Sequence, residues 1–365
     1  MKQIMYPNYS DSVLNVSNSI RKHFGLKVYH ETSKELDDFL DKDYENIILF
    51  LYDGMGTNVY KRELKNSFFD EHLIKSISSV GPPTTTASTT SFQTGLSPSE
   101  HHWLGWNVYI KEEKEIITLY RNVKKGDDKP YSYNVGMKYI PYKTIVEEIN
   151  EKKKYQAYDF FPFGDNPYEN IPDVMDKVYK LTKQKGKKYI YVYYENPDAF
   201  LHMYGSKNKI VQEEIRMLDN ETKKLCDKLT NSLVIVTADH GHIDVTMNYL
   251  EDYKDILDTL RCDISLEGRW VSFMVKRGRK KEFKLLFDKY FGKDFLLFTR
   301  SEVIKKELFG KGKDSRLESE IGDYVAIATS DKYLSSKRDD IVFKSAHAGI
   351  TKDEMEIPLI VISKK

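Results

Sequence analysis

Six side chains in this sequence are donors of the kind that hold a divalent cation: Asp53, Asp198, His202, Asp239, His240 and His347. Nearly all of them fall just beyond the end of an apolar run. Asp198 and His202 are four residues apart, so a helical turn after Pro197 would bring them to one face at about 5–6 Å. Asp239 and His240 are adjacent, and an irregular turn after a strand can aim both at one ion. Mixed carboxylate and imidazole ligation suits zinc, with manganese or iron also compatible. Any one of these residues alone reads as a turn aspartate or a structural histidine. Together with the nearby hydroxyls they define a stronger reading, because three carboxylates and one threonine alkoxide balance the charge of two divalent cations. Such a site activates a hydroxyl and polarises a phosphoryl oxygen.

The hydroxyl comes from the stretch Gly81–Leu96, GPPTTTASTTSFQTGL. Pro82 and Pro83 fix φ and stop the incoming chain. Thr84, Thr85 and Thr86 are good N-cap residues, Ala87 to Gln93 continue helically, and Gly95 ends the run. One of these threonines then lies at a helix N-terminus, where free N–H groups favour an anion such as a phosphate or an alkoxide.

The elements that must deliver these groups are legible as apolar runs. Asn46–Tyr52 (NIILFLY) reads as a buried parallel strand running into Asp53. Tyr189–Glu195 (YIYVYYE) and Ser232–Ala238 (SLVIVTA) repeat the pattern ahead of Asp198 and Asp239, and Val211–Leu229 between them reads as the crossover helix of a βαβ unit. Ile357–Ser363 is a fourth apolar run, preceded by His347. In open α/β sheets the ligand crevice lies beyond the carboxyl ends of the strands, where all three aspartates project. Residues 11–25 are spaced as a packing helix ending at Gly25. Residues 108–135 read as a hairpin, and residues 262–340 carry two amphipathic helices, Lys281–Tyr290 and Ser301–Leu308, with the strand-like runs WVSFMV and YVAIA. The expected architecture is an α/β fold: a three-layer α/β/α core with a mostly parallel sheet over 1–255 and 341–365, and a smaller inserted α+β cap over 256–340.

Bulk properties exclude several classes. The 365 residues carry 57 Lys and Arg against 56 Asp and Glu, a net charge of +1, so no global field points to a nucleic-acid polymer or an acidic membrane surface. The basic run Lys276–Lys281 reads as a solvated turn. Two cysteines, Cys226 and Cys262, make no disulfide framework and fit a reducing compartment. No apolar stretch is long enough to span a bilayer, and the expectation is a soluble cytoplasmic protein without a membrane partner. The oligomeric state is not readable.

Five motifs, FLYDGMG, PPTTTASTTSFQTGL, ENPDAFLHMYG, VTADHGH and SAHAGIT followed by EIPLIV, occur in this order between residues 46 and 363. In this they resemble the alkaline phosphatase superfamily, specifically its type I phosphodiesterase and nucleotide pyrophosphatase branch. The resemblance implies that Asp53, Asp239 and His240 hold one zinc together with the nucleophile, and that Asp198, His202 and His347 hold the second. Counting back from Thr94-Gly95-Leu96, it places the nucleophile at Thr85, with Thr84 and Thr86 as competitors because Gly81-Pro82-Pro83 departs from the branch's usual approach to this turn. In HHWLGWNVYIKE it implies that Asn107 helps bind a phosphate oxygen. His101, His102 and His242 match no ligand position and are read as structural.

The activity expected on this basis is hydrolysis of a phosphodiester or pyrophosphate, with a small, nucleotide-type phosphoester as substrate. The mechanism expected is two-step, in-line phosphoryl transfer through a phosphothreonine at Thr85. A phosphomonoesterase or a phosphonate hydrolase of the same superfamily is the nearest alternative, and Arg269 from the cap is a candidate for shifting preference toward monoesters. A sulfatase is disfavoured because those enzymes use a modified Cys or Ser where this run has threonine. From another class, a non-catalytic metal-binding regulatory protein would be expected to have lost a ligand or the hydroxyl, and none is missing here.

Overall fold

The computed structural model describes residues 3–312, 316–338 and 342–365; the expected junction between cap and core at 340/341 lies outside them. The core is a six-stranded sheet in the order Leu73–Ser78, Glu356–Lys364, Ser232–Thr237, Asn46–Tyr52, Lys188–Tyr194, Gln156–Phe160. The four strands from Ser232–Thr237 to Gln156–Phe160 run parallel, while Glu356–Lys364 is antiparallel to both its neighbours. Asn46–Tyr52 is buried along its whole length, as a strand covered on both faces must be, which is why it reads as an unbroken apolar run.

Helices cover the two faces. Val13–His23 packs on Thr85–Thr94, which in turn packs on Ile145–Lys152. Ser12 caps the first of these through a reciprocal bond with Asn15, and Gly25 follows its end at φ +65°. Lys209–Cys226 packs against Ile171–Thr182 and Thr57–Glu63. It buries Val211, Ile215, Leu218, Thr222 and Leu225, one stripe of an amphipathic crossover helix. The α/β core with its mostly parallel central sheet is therefore as the sequence implies.

A second sheet has seven antiparallel strands. Its order is Phe295–Thr299, Tyr324–Ala328, Trp270–Phe273, Ser265–Leu266, Asn107–Ile110, Glu115–Thr118, Val123–Lys124. Four strands come from the segment 256–340 and three from the hairpin region after the threonine helix. Ser265–Leu266 joins the two halves by pairing Leu266 with Asn107. The helix Lys280–Phe291 seals one face by burying Phe283, Phe287 and Phe291 beside Phe273 and Phe295. Asn107 is thus a strand residue of this second sheet.

Candidate active site

The three aspartates emerge where the parallel strands end. Asp53 follows Asn46–Tyr52, Asp239 lies two residues past Ser232–Thr237, and Asp198 opens the short helix Asp198–Tyr204 that carries His202 one turn later. Gly54 lets the first and third of these approach. It has φ +73°, and a Cβ there would lie 3.0 Å from both Cα and Cβ of Asp198 and 3.1 Å from Cδ2 of His242.

Thr84 is the N-cap residue and Thr85 the first residue of the helix Thr85–Thr94, which ends at Gly95 in the left-handed region. The three adjacent hydroxyls have different surroundings. Thr84 Oγ1 donates to Glu267 Oε1 at 2.7 Å, and Thr86 Oγ1 is buried without a hydrogen bond. Thr85 Oγ1 lies 3.3 Å from Asp53 Oδ2 and 3.3 Å from His240 Nε2. Of the three, Thr85 is the one that faces Asp53 and His240.

Around Thr85 the donors converge. His240 Nε2 is 3.3 Å from Asp53 Oδ1 and 3.4 Å from Asp239 Oδ2. Both of those carboxylate oxygens are buried and take no hydrogen bond. His240 Nδ1 contacts the Gly241 carbonyl at 3.2 Å. A carbonyl only accepts, so Nδ1 carries the proton and Nε2 turns its lone pair toward the two oxygens. Lone pairs facing lone pairs in a buried site repel unless a proton or a metal cation lies among them. Ligands of a tetrahedral zinc with bonds of about 2.0–2.1 Å are separated by about 3.3–3.4 Å, the separations found here.

The second group centres on Asp198. Its Oδ1 is 3.3 Å from His202 Nε2, 3.8 Å from His347 Nε2 and 2.5 Å from His242 Nε2. His202 Nδ1 contacts the Ser345 carbonyl at 2.8 Å and His347 Nδ1 the Pro83 carbonyl at 3.2 Å. As with His240, the backbone fixes the tautomer that leaves Nε2 free, the usual outer support of a metal-binding histidine. The groups adjoin through the stacked rings of His240 and His347, 3.7 Å between centroids. Ligating atoms of Asp53, Asp239 and His240 fall within 4.8 Å of one another, as do those of Asp198, His240, His242 and His347. His242, expected to be structural, therefore belongs to the cluster. His101 and His102 do not; they bond Ser91 and Glu320.

Electrostatics follow from this crowding. Burial, reinforced by Asp239 and Asp198, raises the Asp53 carboxyl well above the usual range. Burial also raises Asp239 to about 7, with the Gly54 N–H opposing and Asp198 adding. Burial lowers His240 to about 3, so the ring is neutral at ordinary pH. Tyr193, from Lys188–Tyr194, donates to Asp53 Oδ2 at 2.5 Å and orients that carboxylate. Sequence reasoning passed over this tyrosine because it sits in a run that reads only as strand.

Two cavities open onto Thr85. One, of about 410 Å³, is walled by Tyr120, Tyr142, Phe161, Phe163 and Tyr193. The other, of about 300 Å³, reaches Asn107, Glu267, His202 and His347. Asn107 Oδ1 accepts from Thr118 Oγ1 at 2.7 Å, an arrangement that leaves its amide N–H₂ as donor. Glu267, which the motifs did not mark, is raised to about 7 by burial. Arg269 is not in either cavity. It is fully buried, and its guanidinium is bidentate to Glu354 at 2.6 and 2.9 Å and bonded to the carbonyls of Lys332 and Ser330. The suggested role in monoester preference is withdrawn on that ground.

An α/β sheet with a threonine hydroxyl at a helix N-terminus and carboxylate–imidazole clusters at its strand ends is an architecture compatible with phosphoester hydrolysis. Residues 47–349 match the family described as type I phosphodiesterase / nucleotide pyrophosphatase, and the chain belongs to that family. Among solved structures it is similar to murine ectonucleotide pyrophosphatase / phosphodiesterase 5, with a TM-score of 0.68 at 16% identity over 86% of this chain and 87% of that one. An inactive variant of the same murine protein, solved in complex with AMP, is similar to the same degree. Phosphonoacetate hydrolase from Sinorhizobium meliloti 1021, in complex with phosphonoformate, is similar with a TM-score of 0.64 at 16% identity over 87% and 90% of the two chains. No curated protein matches by sequence. The family is metal-dependent, and the two clusters are the candidate sites in this chain. No helix among the described residues is long and apolar enough to cross a membrane.

Proposed function

We propose that the chain hydrolyses phosphodiester or pyrophosphate bonds of nucleotide-type substrates through a covalent phosphothreonine at Thr85. The observation that carries this reading is the placement of Thr85 Oγ1, 3.3 Å from both Asp53 Oδ2 and His240 Nε2, at the mouth of an aromatic cavity. Asp53, Asp239 and His240 would hold one divalent cation with Thr85, and Asp198, His202 and His347 the second. The donor set and its separations favour zinc over manganese or iron. Bound there, the pair would lower the pKa of the Thr85 hydroxyl and offset charge on the phosphoryl oxygens.

The chain's own residues supply orientation and proton transfer. Thr85 Oγ1 donates toward Asp53 Oδ2, which gives its proton an acceptor as the oxygen turns nucleophilic. The helix N-terminus and the Asn107 amide N–H₂ face the non-bridging oxygens. A bond forms from Thr85 Oγ1 to phosphorus as the opposite bond to the leaving alcohol breaks, and the alcohol's oxygen takes a proton from water. A water oxygen then displaces Thr85, which regains its hydrogen, so that diester plus water gives monoester plus alcohol.

The aromatic walls favour a nucleoside over a small phosphonate, which would not fill them; a base stacks on such rings. The AMP complex of the structurally similar murine protein supports the same assignment. Retention of every ligand and of the hydroxyl weighs against a non-catalytic regulatory role. Cys226 and Cys262 are unpaired, which supports a reducing compartment and hence a cytoplasmic location.

The test is release of nitrophenol from bis(4-nitrophenyl) phosphate by the zinc- or manganese-supplemented protein. Thr85→Ala should lower turnover by about 10³-fold or more. Faster turnover of 4-nitrophenyl phosphate would refute the diesterase reading, and unchanged turnover in Thr85→Ala the choice of nucleophile.

A further inference from the structure

Two cavities meet at Thr85. In-line displacement puts the leaving oxygen opposite Thr85 Oγ1. With the nucleoside in the aromatic cavity, the leaving group occupies the cavity that contains His202 and His347 but none of Tyr120, Tyr142, Phe161 or Phe163. That cavity's wall is formed by Glu267, Tyr333, Phe343 and Trp106.

Glu267 is held by hydrogen bonds to one of its oxygens. Oε1 accepts from Thr84 Oγ1 and from the Trp106 backbone N–H, both at 2.7 Å, whereas Oε2 has no hydrogen-bond partner among the described residues. Aromatic rings flank it. A Cβ on Gly268 would lie 2.1 Å from Tyr333 Cζ, so only glycine lets that ring lie against the backbone next to Glu267. Tyr333 meets Phe343 edge to face at 5.4 Å. Among the described residues, no lysine or arginine lines this cavity. The larger cavity of about 440 Å³ that continues outward past Glu267 has Arg121 and Lys125, and these pair with Asp128 at 3.0 Å and Asp263 at 2.9 Å. Inside this cavity a pyrophosphate leaving group would meet the Glu267 carboxylate and, among the described residues, no lysine or arginine to offset it. An ammonium group would meet both a carboxylate oxygen lacking a partner and aromatic surface, the two features that bind such cations.

We propose that this cavity is a leaving-group subsite for alcohols carrying an ammonium group, with Glu267 as the recognition carboxylate. The inference rests on the phosphodiesterase reading and narrows it to diesters of amino alcohols. Cleavage follows the scheme above, the released product being the protonated amino alcohol.

The test compares three adenosine 5′-phosphodiesters, whose alcohols are ethanolamine, ethylene glycol and 1-propanol, by AMP release from the zinc-loaded full chain. The ethanolamine ester should exceed the propyl ester in kcat/KM by roughly tenfold or more. In Glu267→Gln that ratio should fall toward unity; because it is a ratio within one protein, any general loss of activity cancels. Should that variant not fold, the wild-type ratio decides alone. A wild-type ratio near unity, an ethylene glycol ester as good as the ethanolamine ester, or a ratio unchanged in Glu267→Gln overturns the proposal. Turnover of bis(4-nitrophenyl) phosphate in the same preparation separates that result from failure of the phosphodiesterase reading, which would show as no hydrolysis of any diester.

Discussion

Removing metal from this protein should reverse the usual effect of mutating a buried charged residue. Asp53 and Asp239 are almost wholly buried, and their facing oxygens take no hydrogen bond. In the metal-free chain Asp239 is raised from 3.8 to about 7, chiefly by burial. A carboxyl whose folded pKa is raised contributes stability that is complete below its unfolded value and lost as pH rises through the folded one. Moving this group from 3.8 to about 7 corresponds to about 4 kcal/mol lost by about pH 8. Asp239→Asn removes the charge and keeps an oxygen for the Gly54 and His240 N–H donors, each at 3.0 Å. Urea unfolding in the presence of a chelator should find the variant more stable than wild type by about 2–4 kcal/mol near pH 8, because Asp53 relaxes in part with its neighbour, and no more stable near pH 4. Saturating zinc should restore wild type to the lead, since a ligand that binds only the native state stabilises it. A variant that is less stable than wild type in chelator at the higher pH, or a difference that does not grow with pH, would refute the charge argument.

Tyr193→Phe removes the donor to Asp53 Oδ2 and should weaken zinc binding by about tenfold in a chelator-competition titration; an affinity within twofold of wild type would show that Tyr193 does not orient the carboxylate. Phe161 and Phe163 stack at 5.7 Å on the wall of the larger Thr85 cavity. Replacing both by alanine should raise KM for adenylate diesters roughly tenfold while sparing dimethyl phosphate-type substrates, and equal effects on both would remove the base from that cavity. Arg269→Ala strands the buried Glu354 and should cost about 3–5 kcal/mol in urea unfolding without altering the ratio of diester to monoester turnover. A changed ratio would return Arg269 to the site.

What was legible in the sequence was what local chemistry dictates. Asp53 and Asp239 could be read because a fully buried parallel strand leaves an unbroken apolar run, and the first polar residue after it marks where the chain meets solvent. Asp198 and His202 could be read because one helical turn fixes their separation, and the fold places both beside His347. The groups that were not legible act across long separations. Glu267 reaches Thr84 over 183 residues and Trp106 over 161, through the second sheet, in which Leu266 pairs with Asn107. Nothing within either segment announces that pairing, since both are short strands with ordinary alternation. Arg269 illustrates the converse error. An arginine in a cap segment reads as a free cation, but Glu354 lies 85 residues away in sequence and cancels it. His242 reads as structural because a residue three past Asp239 looks like turn, and only Gly54, by admitting Asp198 alongside, turns that position into part of the cluster. The ligands that a cation requires recur as local patterns, whereas the residues that select a substrate are set by which loops the tertiary fold brings together. Reading chemistry from this chain was therefore easier than reading specificity, and the carboxylate of Glu267 is where the two meet.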